Sequence, residues 1–542
     1  MYIKFSVIPE TSALFLNFLY NYENVRDFYP TNFRDEQELV KNLENYNKNL
    51  EHREKLVHIL KRQNITENSS EKTIQNLNHL LSENTFAIVT GQQLGILSGP
   101  LYTFYKIITT IKLAEKLNIQ YPELKFVPVF WLESEDHDFD EVNWIKILDN
   151  QNNLVKITYN DGKEPETNRG PIGENQFNLS FNDFIITLRS SLRDTEFQSQ
   201  LMDIVQSYYF PGATFKSAFV GLVKHFFDKY GLILLDSNDL EVKKWLSPIF
   251  AKDIEKFSFI SEELILRSAK IEEQFSAQVK IKPINLFYFE DGGRYLIEPD
   301  LNNEFRLKNK RKKFTYEKLL SEIENSPEKF SPNVVLRPIC QDYLLPTAYY
   351  VAGPSEINYH AQIYPYYSFH NLHPPILYPR ASATLLESKV KSILEKYYLS
   401  VSNFYGDIEV LVKNVAEKNL NISISSIFDE VKSEIDKSYE HLKETLITIE
   451  QTLRDVVENA KQKTETYLNV VKEKTIAAHQ KKNEIVLRQI YKAGNILYPD
   501  GNLQEREINF IYFANKYSLD FIDFLYDNLN IEIFDHQIIE IQ

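Results

Sequence analysis

The sequence predicts an α/β protein carrying a long helical appendage, on two observations. From Phe86 onward, short β-prone runs alternate with longer helical stretches, the pattern of a sheet with crossover helices. Later, no proline occurs between Pro379 and Pro499 and no glycine between Gly406 and Gly494, and apolar residues in this window fall on a heptad seam. A chain of 542 residues with 43% hydrophobic and 25% charged residues can bury several cores.

In chain order, residues 1–84 read mainly as helices, broken at Pro30 and across the polar stretch from Asn64 to Ser70. Core strands are expected at Phe86–Thr90, Phe126–Leu132, Leu232–Leu235, Asn333–Leu336, Tyr349–Ala352 and Ile376–Tyr378. Trp144 to Asn160 alternates around the turn Asp149–Asn153, and Asn285 to Leu307 around Asp291-Gly292-Gly293, which marks two antiparallel hairpin insertions. On the heptad seam, Ile435, Leu442, Ile449 and Val456 take one position and Tyr439, Leu446, Leu453 and Ala460 the other. The seam weakens at Lys463 and Lys474 and resumes near Val470, Val471 and Ile476. Sixty helical residues would span about 90 Å and cannot hide their own seam, so the rod folds back or pairs with another subunit. The two seam lysines make the later half a poor sole partner, and the expectation is a homodimer through the coiled coil.

These features divide the chain into N-terminal helices and the first half of the core (1–143), a connecting insertion (144–211), a core strand and helix (212–240), a second insertion (241–330), the second half of the core (331–386), a helical coiled coil (387–498) and a C-terminal helical segment docking on the body (499–542). The formal net charge of −15 argues against a nucleic-acid or anionic-membrane partner. No apolar run reaches the length of a membrane span, and Met1 to Glu10 lacks the apolar core of a signal peptide. Cys340 is the only cysteine, which rules out an intrachain disulfide and a cysteine zinc cluster. The expectation is a soluble protein of the reducing cytoplasm, with no metal centre.

Three constellations carry chemistry. The first is Thr90-Gly91-Gln92-Gln93-Leu94-Gly95-Ile96-Leu97-Ser98-Gly99-Pro100, where a strand enters a helix with Ser98 or Gly99 as its expected cap. Such a turn either binds a phosphate or carboxylate at the helix start or uses glycine for close packing. The second runs from Trp131 to Glu141 and places six carboxylates and His137 within nine residues at a strand end. It is either a solvated acidic loop or a site in which His137, between Asp136 and Asp138, shuttles a proton or meets an amine. The third is a set of polar groups after later strands: Asp236, Gly353 to Glu356, and Arg380-Ala381-Ser382-Ala383-Thr384, whose Arg380, Ser382 and Thr384 suit an anion clamp. Cys340 has no histidine near it in sequence and reads as a core thiol, and His360, His370 and His373 read as structural.

Thr90-Gly91-Gln92-Gln93, Ser98-Gly99-Pro100-Leu101-Tyr102-Thr103 and Trp131-Leu132-Glu133-Ser134-Glu135-Asp136-His137-Asp138 together resemble the bacillithiol biosynthesis cysteine-adding family, BshC. Leu336-Arg337-Pro338, Gln341-Asp342, Leu345-Pro346-Thr347, Gly353-Pro354, Leu377 to Thr384, Leu487-Arg488-Gln489 and Leu503-Gln504-Glu505-Arg506 extend the resemblance over essentially the whole chain. It implies a Rossmann-like core related to class I aminoacyl-tRNA synthetases, with two connecting insertions and a coiled coil that pairs subunits. It also implies a ligase that adds cysteine to the amino group of glucosaminyl malate, the last step to bacillithiol. Ser98-Gly99-Pro100 stands where class I enzymes carry His-x-Gly-His but has neither histidine, and Arg380 to Thr384 lacks both lysines of the Lys-Met-Ser-Lys-Ser loop.

On this reading Glu133, Asp136, His137 and Asp138 handle the amine, with His137 accepting its proton. Gly91, Gln92, Gln93, Ser98, Gly99, Tyr102, Trp131, Asp236, Gly353, Arg380, Ser382 and Thr384 bind substrate or nucleotide. ATP, with its magnesium ion, is the expected activator on chemical grounds, because a free carboxylate needs a leaving group. The alternative is a class I synthetase-like ligase acting on another amine or a carrier. A tRNA acceptor would require a basic anticodon-type module, which the sequence lacks, and a mere scaffold would require no polar strand ends.

Overall fold

Five runs rich in β-branched and aromatic residues form one parallel sheet: β1 (Thr85–Gln93), β2 (Lys125–Glu133), β3 (Ile233–Asp236), β4 (Thr347–Ala352) and β5 (Ile376–Pro379). In this computed structural model, which describes residues 1–35, 38–39, 43, 50–418 and 424–542, their order is β5-β4-β1-β2-β3. β1, β2 and β4 are buried almost throughout, as expected for parallel strands covered on both faces. The strand order reverses between β1 and β4, and such switch points open a crevice at the strands' carboxyl ends. Helix α1 (Tyr102–Gln120) leads from β1 to β2, α2 (Leu240–Glu255) follows β3, α3 (Arg337–Leu344) precedes β4, and α4 (Pro354–Phe369) joins β4 to β5.

The chain divides into two compact units, Met1–Leu385 with Asn502–Gln542, and Leu386–Gly501. In the first, the stretch between β2 and β3 contains a hairpin pairing Trp144–Leu148 with Leu154–Thr158. Between β3 and β4, Leu286–Glu290 and Gly293–Pro299 pair across the Asp291-Gly292 turn within a five-stranded antiparallel sheet. Among the described residues, the helices Ala13–Tyr20, Leu50–Asn64 and Glu71–His79 precede β1.

Three expectations are corrected. Asn333–Leu336 is not a strand: Asn333 Oδ1 accepts the backbone N–H of Val335 (2.9 Å) and Leu336 (3.1 Å), turning the chain into α3, whose second residue is Pro338. Only Phe330–Pro332 pairs there, antiparallel to Leu286–Tyr288. The terminal segment is not wholly helical, because His536–Ile541 forms the middle strand of a small sheet and pairs with Tyr2–Ile3.

The third correction concerns the second unit. The continuous rod is instead a hairpin of α5 (Ile424–Ile447) and α6 (Leu453–Leu497), antiparallel to each other. Lys461 meets Asp436 at 2.7 Å, Lys443 meets Glu458 at 3.1 Å, and Tyr439 Oη lies 2.8 Å from Thr464 Oγ1. The seam therefore does not run through the bend. Ile449 lies in the turn and is 71% exposed, Val456 is 61% exposed, and Val457 is the buried residue of that turn of helix. The weaker half of the window is the intramolecular partner that the sequence reading discounted.

Candidate active site

A cavity of about 510 Å³ opens where β1, β2, β4 and β5 end. β1 contributes Gly91, Gln92 and Gln93. Gly91 lies opposite Trp131 on β2, and a Cβ there would come within 3.0 Å of the Trp131 carbonyl oxygen, so glycine is what lets these strands close. Beneath the β1 end, Lys106 Nζ donates to Gly91 O and Gln92 Oε1, both at 2.9 Å, and pairs with Glu356 at 2.6 Å. Glu356 also receives the N–H of Gly353 (2.8 Å) and the hydroxyl of Tyr350 (2.7 Å), tying α4 to the β4 end. Burial works against its charge, but Lys106 outweighs this and holds it below the usual carboxylate range.

The β2 end presents two carboxyl groups in different states. Glu133 pairs with Arg337 at 2.6 Å, and Arg337 Nη2 donates to Tyr359 Oη at 2.6 Å. Burial nevertheless pushes Glu133 up to about 7, although Arg337 pulls the other way. Asp136 is the opposite case. Burial disfavours its charge, but hydrogen bonds from His137, the Arg294 guanidinium and the Gln93 amide outweigh burial and hold it well below the usual range. Gln93 Nε2 lies 2.5 Å and Arg294 Nη1 3.3 Å from its oxygens. Arg294 is itself fixed, stacked 4.1 Å over Phe287 and donating to Ser331 Oγ (2.8 Å) and Pro332 O (2.7 Å). One carboxyl thus titrates near neutrality beside another that stays charged, a separation suited to proton transfer.

On the far wall, Arg380 Nη2 meets Glu505 Oε1 at 2.8 Å, both side chains buried. Glu505 also accepts Ser382 Oγ (2.9 Å) and Ala383 N (2.8 Å). His536 lies between Ser382 Oγ (2.7 Å) and Thr384 Oγ1 (2.8 Å), and burial lowers it to about 4, so the imidazole is neutral.

Of the residues expected at the site, Gly91, Gln92, Gln93, Tyr102, Trp131, Glu133, Asp136, Gly353 and Arg380 line this cavity. The others lie elsewhere. His137 is half-buried against Phe287, its Nδ1 3.3 Å from both Asp136 Oδ1 and Arg294 Nη1, and is not among the lining residues. Asp138 is exposed at the head of the short helix Phe139–Val142. Ser98 and Gly99 do not cap α1, whose N-cap is Leu101. Their turn is filled from within the chain: Asn509 Nδ2 donates to Leu97 O (2.8 Å) and Gly99 O (2.6 Å), while Leu101 N donates to Ile508 O (3.1 Å). Ser382 and Thr384 are bound to Glu505 and His536, so they form no clamp with Arg380. Asp236 pairs with Lys216 at 2.9 Å and accepts the Ser134 hydroxyl. Cys340 is buried in α3, and burial pushes its thiol up, in keeping with a core role.

Lys106, Arg294, Arg337, Tyr359 and Arg506 line the cavity without having been singled out as site residues, and Glu356, named only among the polar groups after β4, lines it too. Lys106 carried a signal: a lysine one helical turn after Tyr102, on a buried face of α1 shared with Thr103, Thr109 and Thr110. Arg294 follows the Gly292-Gly293 turn of an insertion and carried none.

A parallel sheet with a charged cleft at its switch point defines a Rossmann-like fold. The chain belongs to the bacillithiol biosynthesis BshC family. The model for "Bacillithiol biosynthesis BshC, N-terminal Rossmann-like domain" matches residues 1–381, and that for the family's C-terminal coiled-coil domain matches residues 383–541. A relative from Salinibacter ruber is 34% identical over 528 residues, covering 97% of this chain and 96% of its own. One from Chloroherpeton thalassium is 34% identical over 529 residues (95% and 93%), and one from Flavobacterium psychrophilum 30% over 463 residues (85% and 84%). All three carry the name "Putative cysteine ligase BshC".

Proposed function

We propose that this chain is a ligase that joins the carboxyl group of cysteine to the amino group of glucosaminyl malate, the last step of bacillithiol biosynthesis. The observation that carries the reading is the pair Glu133 and Asp136, one titrating at about 7 and the other held charged, in one cleft. Amide formation needs a neutral amine and an activated carboxyl. Asp136 holds the ammonium form, and Glu133 takes its proton near neutral pH. The nitrogen lone pair then forms the new bond to the carboxyl carbon as that carbon's bond to its activating group breaks. Glu133 replaces His137 in this role because Glu133 lines the cleft and His137 does not. ATP would supply the leaving group that a free carboxylate lacks. With the Gly95–Pro100 turn filled by Asn509, its phosphates would meet cationic side chains of the cleft instead.

The same reading takes the core as a relative of class I aminoacyl-tRNA synthetases with two connecting insertions. The parallel strand order, and the separate hairpin and antiparallel sheet between successive core strands, support it. It also takes the protein as a cytoplasmic homodimer paired through the helical hairpin, on which Leu442 (45%) and Val456 (61%) stand exposed. Among the described residues no helix is long and apolar enough to cross a membrane. The test is incubation of the purified protein with glucosaminyl malate, cysteine and ATP, followed by mass spectrometry. A product one water lighter than the sum of the two substrates, lost when any component is omitted, is expected. Its absence from the complete mixture would overturn the proposal.

A further inference from the structure

Arg294 and Asp136 come from different parts of the chain. The Arg294 guanidinium is held by its own insertion, over Phe287 and through Ser331 Oγ and Pro332 O, whereas Asp136 follows the core strand β2. The segment from Asn168 to Gly173, in the first insertion, is bonded to both. Asn168 Nδ2 donates to Arg294 O at 2.7 Å and Asn168 Oδ1 accepts Arg294 N at 2.9 Å, so one side chain closes on both backbone groups of Arg294. Further along, Ile172 N donates to Asp136 O (2.7 Å) and Gly173 N to Ser134 O (2.9 Å). The segment is braced from within. Gly170 N donates to Asn168 Oδ1 at 3.1 Å, and the buried Arg169 pairs with Asp161 at 2.8 Å and lies 4.2 Å over the Phe139 ring. Gly170 has a φ of +66° and sits so close to the turn of the second insertion that a Cβ would collide with Gly292 O, so glycine is what lets the two insertions touch here. Asn168 itself is half-buried and does not line the cavity.

We propose that Asn168 is a positioning residue for the amine site: by gripping the backbone of Arg294 it seats that guanidinium on Asp136, from outside the cleft. Arg294 Nη1 meets Asp136 Oδ1 at 3.3 Å, the long end of hydrogen-bond distances, so a small movement of the turn loses the contact. Held through Oδ1 by Arg294 and the His137 N–H and through Oδ2 by Gln93, the Asp136 carboxylate keeps a fixed direction, which limits the freedom lost when an ammonium group binds. Both insertions are then needed to complete a site whose carboxylate belongs to the core. The inference deepens the ligase reading and rests on it for the ammonium group that Asp136 receives.

The test uses the full chain and the variants Asn168→Ala, Asp136→Asn and the double variant, compared by thermal melts near neutral pH and by steady-state kinetics. If Asn168 acts through the contact of Arg294 with Asp136, Asn168→Ala should lower the melting temperature about twice as far or more in the Asp136 protein as in Asp136→Asn. A side chain that only braced its own loop would give the same shift in both. In the kinetics, Asn168→Ala should raise KM for glucosaminyl malate about threefold or more, leaving kcat and the KM for cysteine little changed. Should Asn168→Ala not fold, the same cycle is run with Asn168→Asp, which keeps the acceptor for Arg294 N and loses only the donor to Arg294 O. Melting shifts that differ by less than this between the two backgrounds, or an unchanged KM for glucosaminyl malate, would each overturn the inference. The melts need no turnover, which separates the two readings. Unequal shifts without amide formation would defeat only the ligase reading, and equal shifts in a protein that forms the amide would defeat only this one.

Discussion

Glu133→Gln removes a cleft carboxyl that titrates at about 7 while keeping its shape beside Arg337. Burial, against the pull of Arg337, moves this group from its ordinary 4.5 to about 7. A shift of that size corresponds to about 3 kcal/mol of preference for the neutral form. The sign sets two opposed trends. A carboxyl whose folded value is raised stabilises the fold fully below pH 4.5, and that contribution is lost as pH rises through about 7. Activity runs the other way, since a base must be ionised to accept a proton. The rate of amide formation, followed by mass spectrometry as kcat/KM against pH, should climb through an apparent pKa of about 7 in the wild type. Glu133→Gln should abolish that limb, lower the rate by roughly 10²–10⁴-fold and flatten the loss of thermal stability over the same pH range. A variant that keeps both the limb and the rate would refute the assignment of Glu133 as proton acceptor.

Arg337→Met removes the charge that draws Glu133 downward, so the same activity limb should move above 7; an unmoved pH profile would contradict the coupling. Glu505→Ala strands the buried Arg380 guanidinium and should cost about 3–5 kcal/mol, seen in a thermal melt, with Glu505→Gln costing less. Gly91→Ala places a methyl 3.0 Å from the Trp131 carbonyl oxygen and should destabilise by about 1–3 kcal/mol, read by denaturant unfolding. Replacing exposed Leu442 and Val456 together by aspartate should leave the hairpin helical by circular dichroism but give a monomer by light scattering; a wild type that is itself monomeric at micromolar concentration would end the dimer proposal.

The core was legible because parallel strands buried on both faces are written as short unbroken apolar runs, and Phe86 to Thr90 and Phe126 to Leu132 each lie inside an observed strand. Asn333–Leu336 misled because its apolar run resembles a strand, while the deciding features are the side chain of Asn333 and the proline at 338. The heptads misled in another way. The bend between Ile447 and Leu453 contains no glycine or proline, and it shifts the inner face so that Val457 rather than Val456 is buried. At the site, the acidic strand end was visible as composition, but Lys106, Arg294 and Arg506 come from a helix, an insertion and the C-terminal segment. Only the folded chain brings them to the strand ends. The Gly95–Pro100 turn had the glycines of an anion site, yet Asn509, more than four hundred residues away, occupies it.

The central claim is that an activated cysteine carboxyl is captured by an amine in this cleft. Cysteine labelled with ¹⁸O in both carboxyl oxygens, incubated with glucosaminyl malate, ATP and the protein, tests it directly by mass spectrometry of all products. One labelled oxygen should remain in the new amide and the other should appear in the phosphate or nucleotide released from ATP. No amide, or an amide formed with no label in any phosphate-bearing product, would contradict the account.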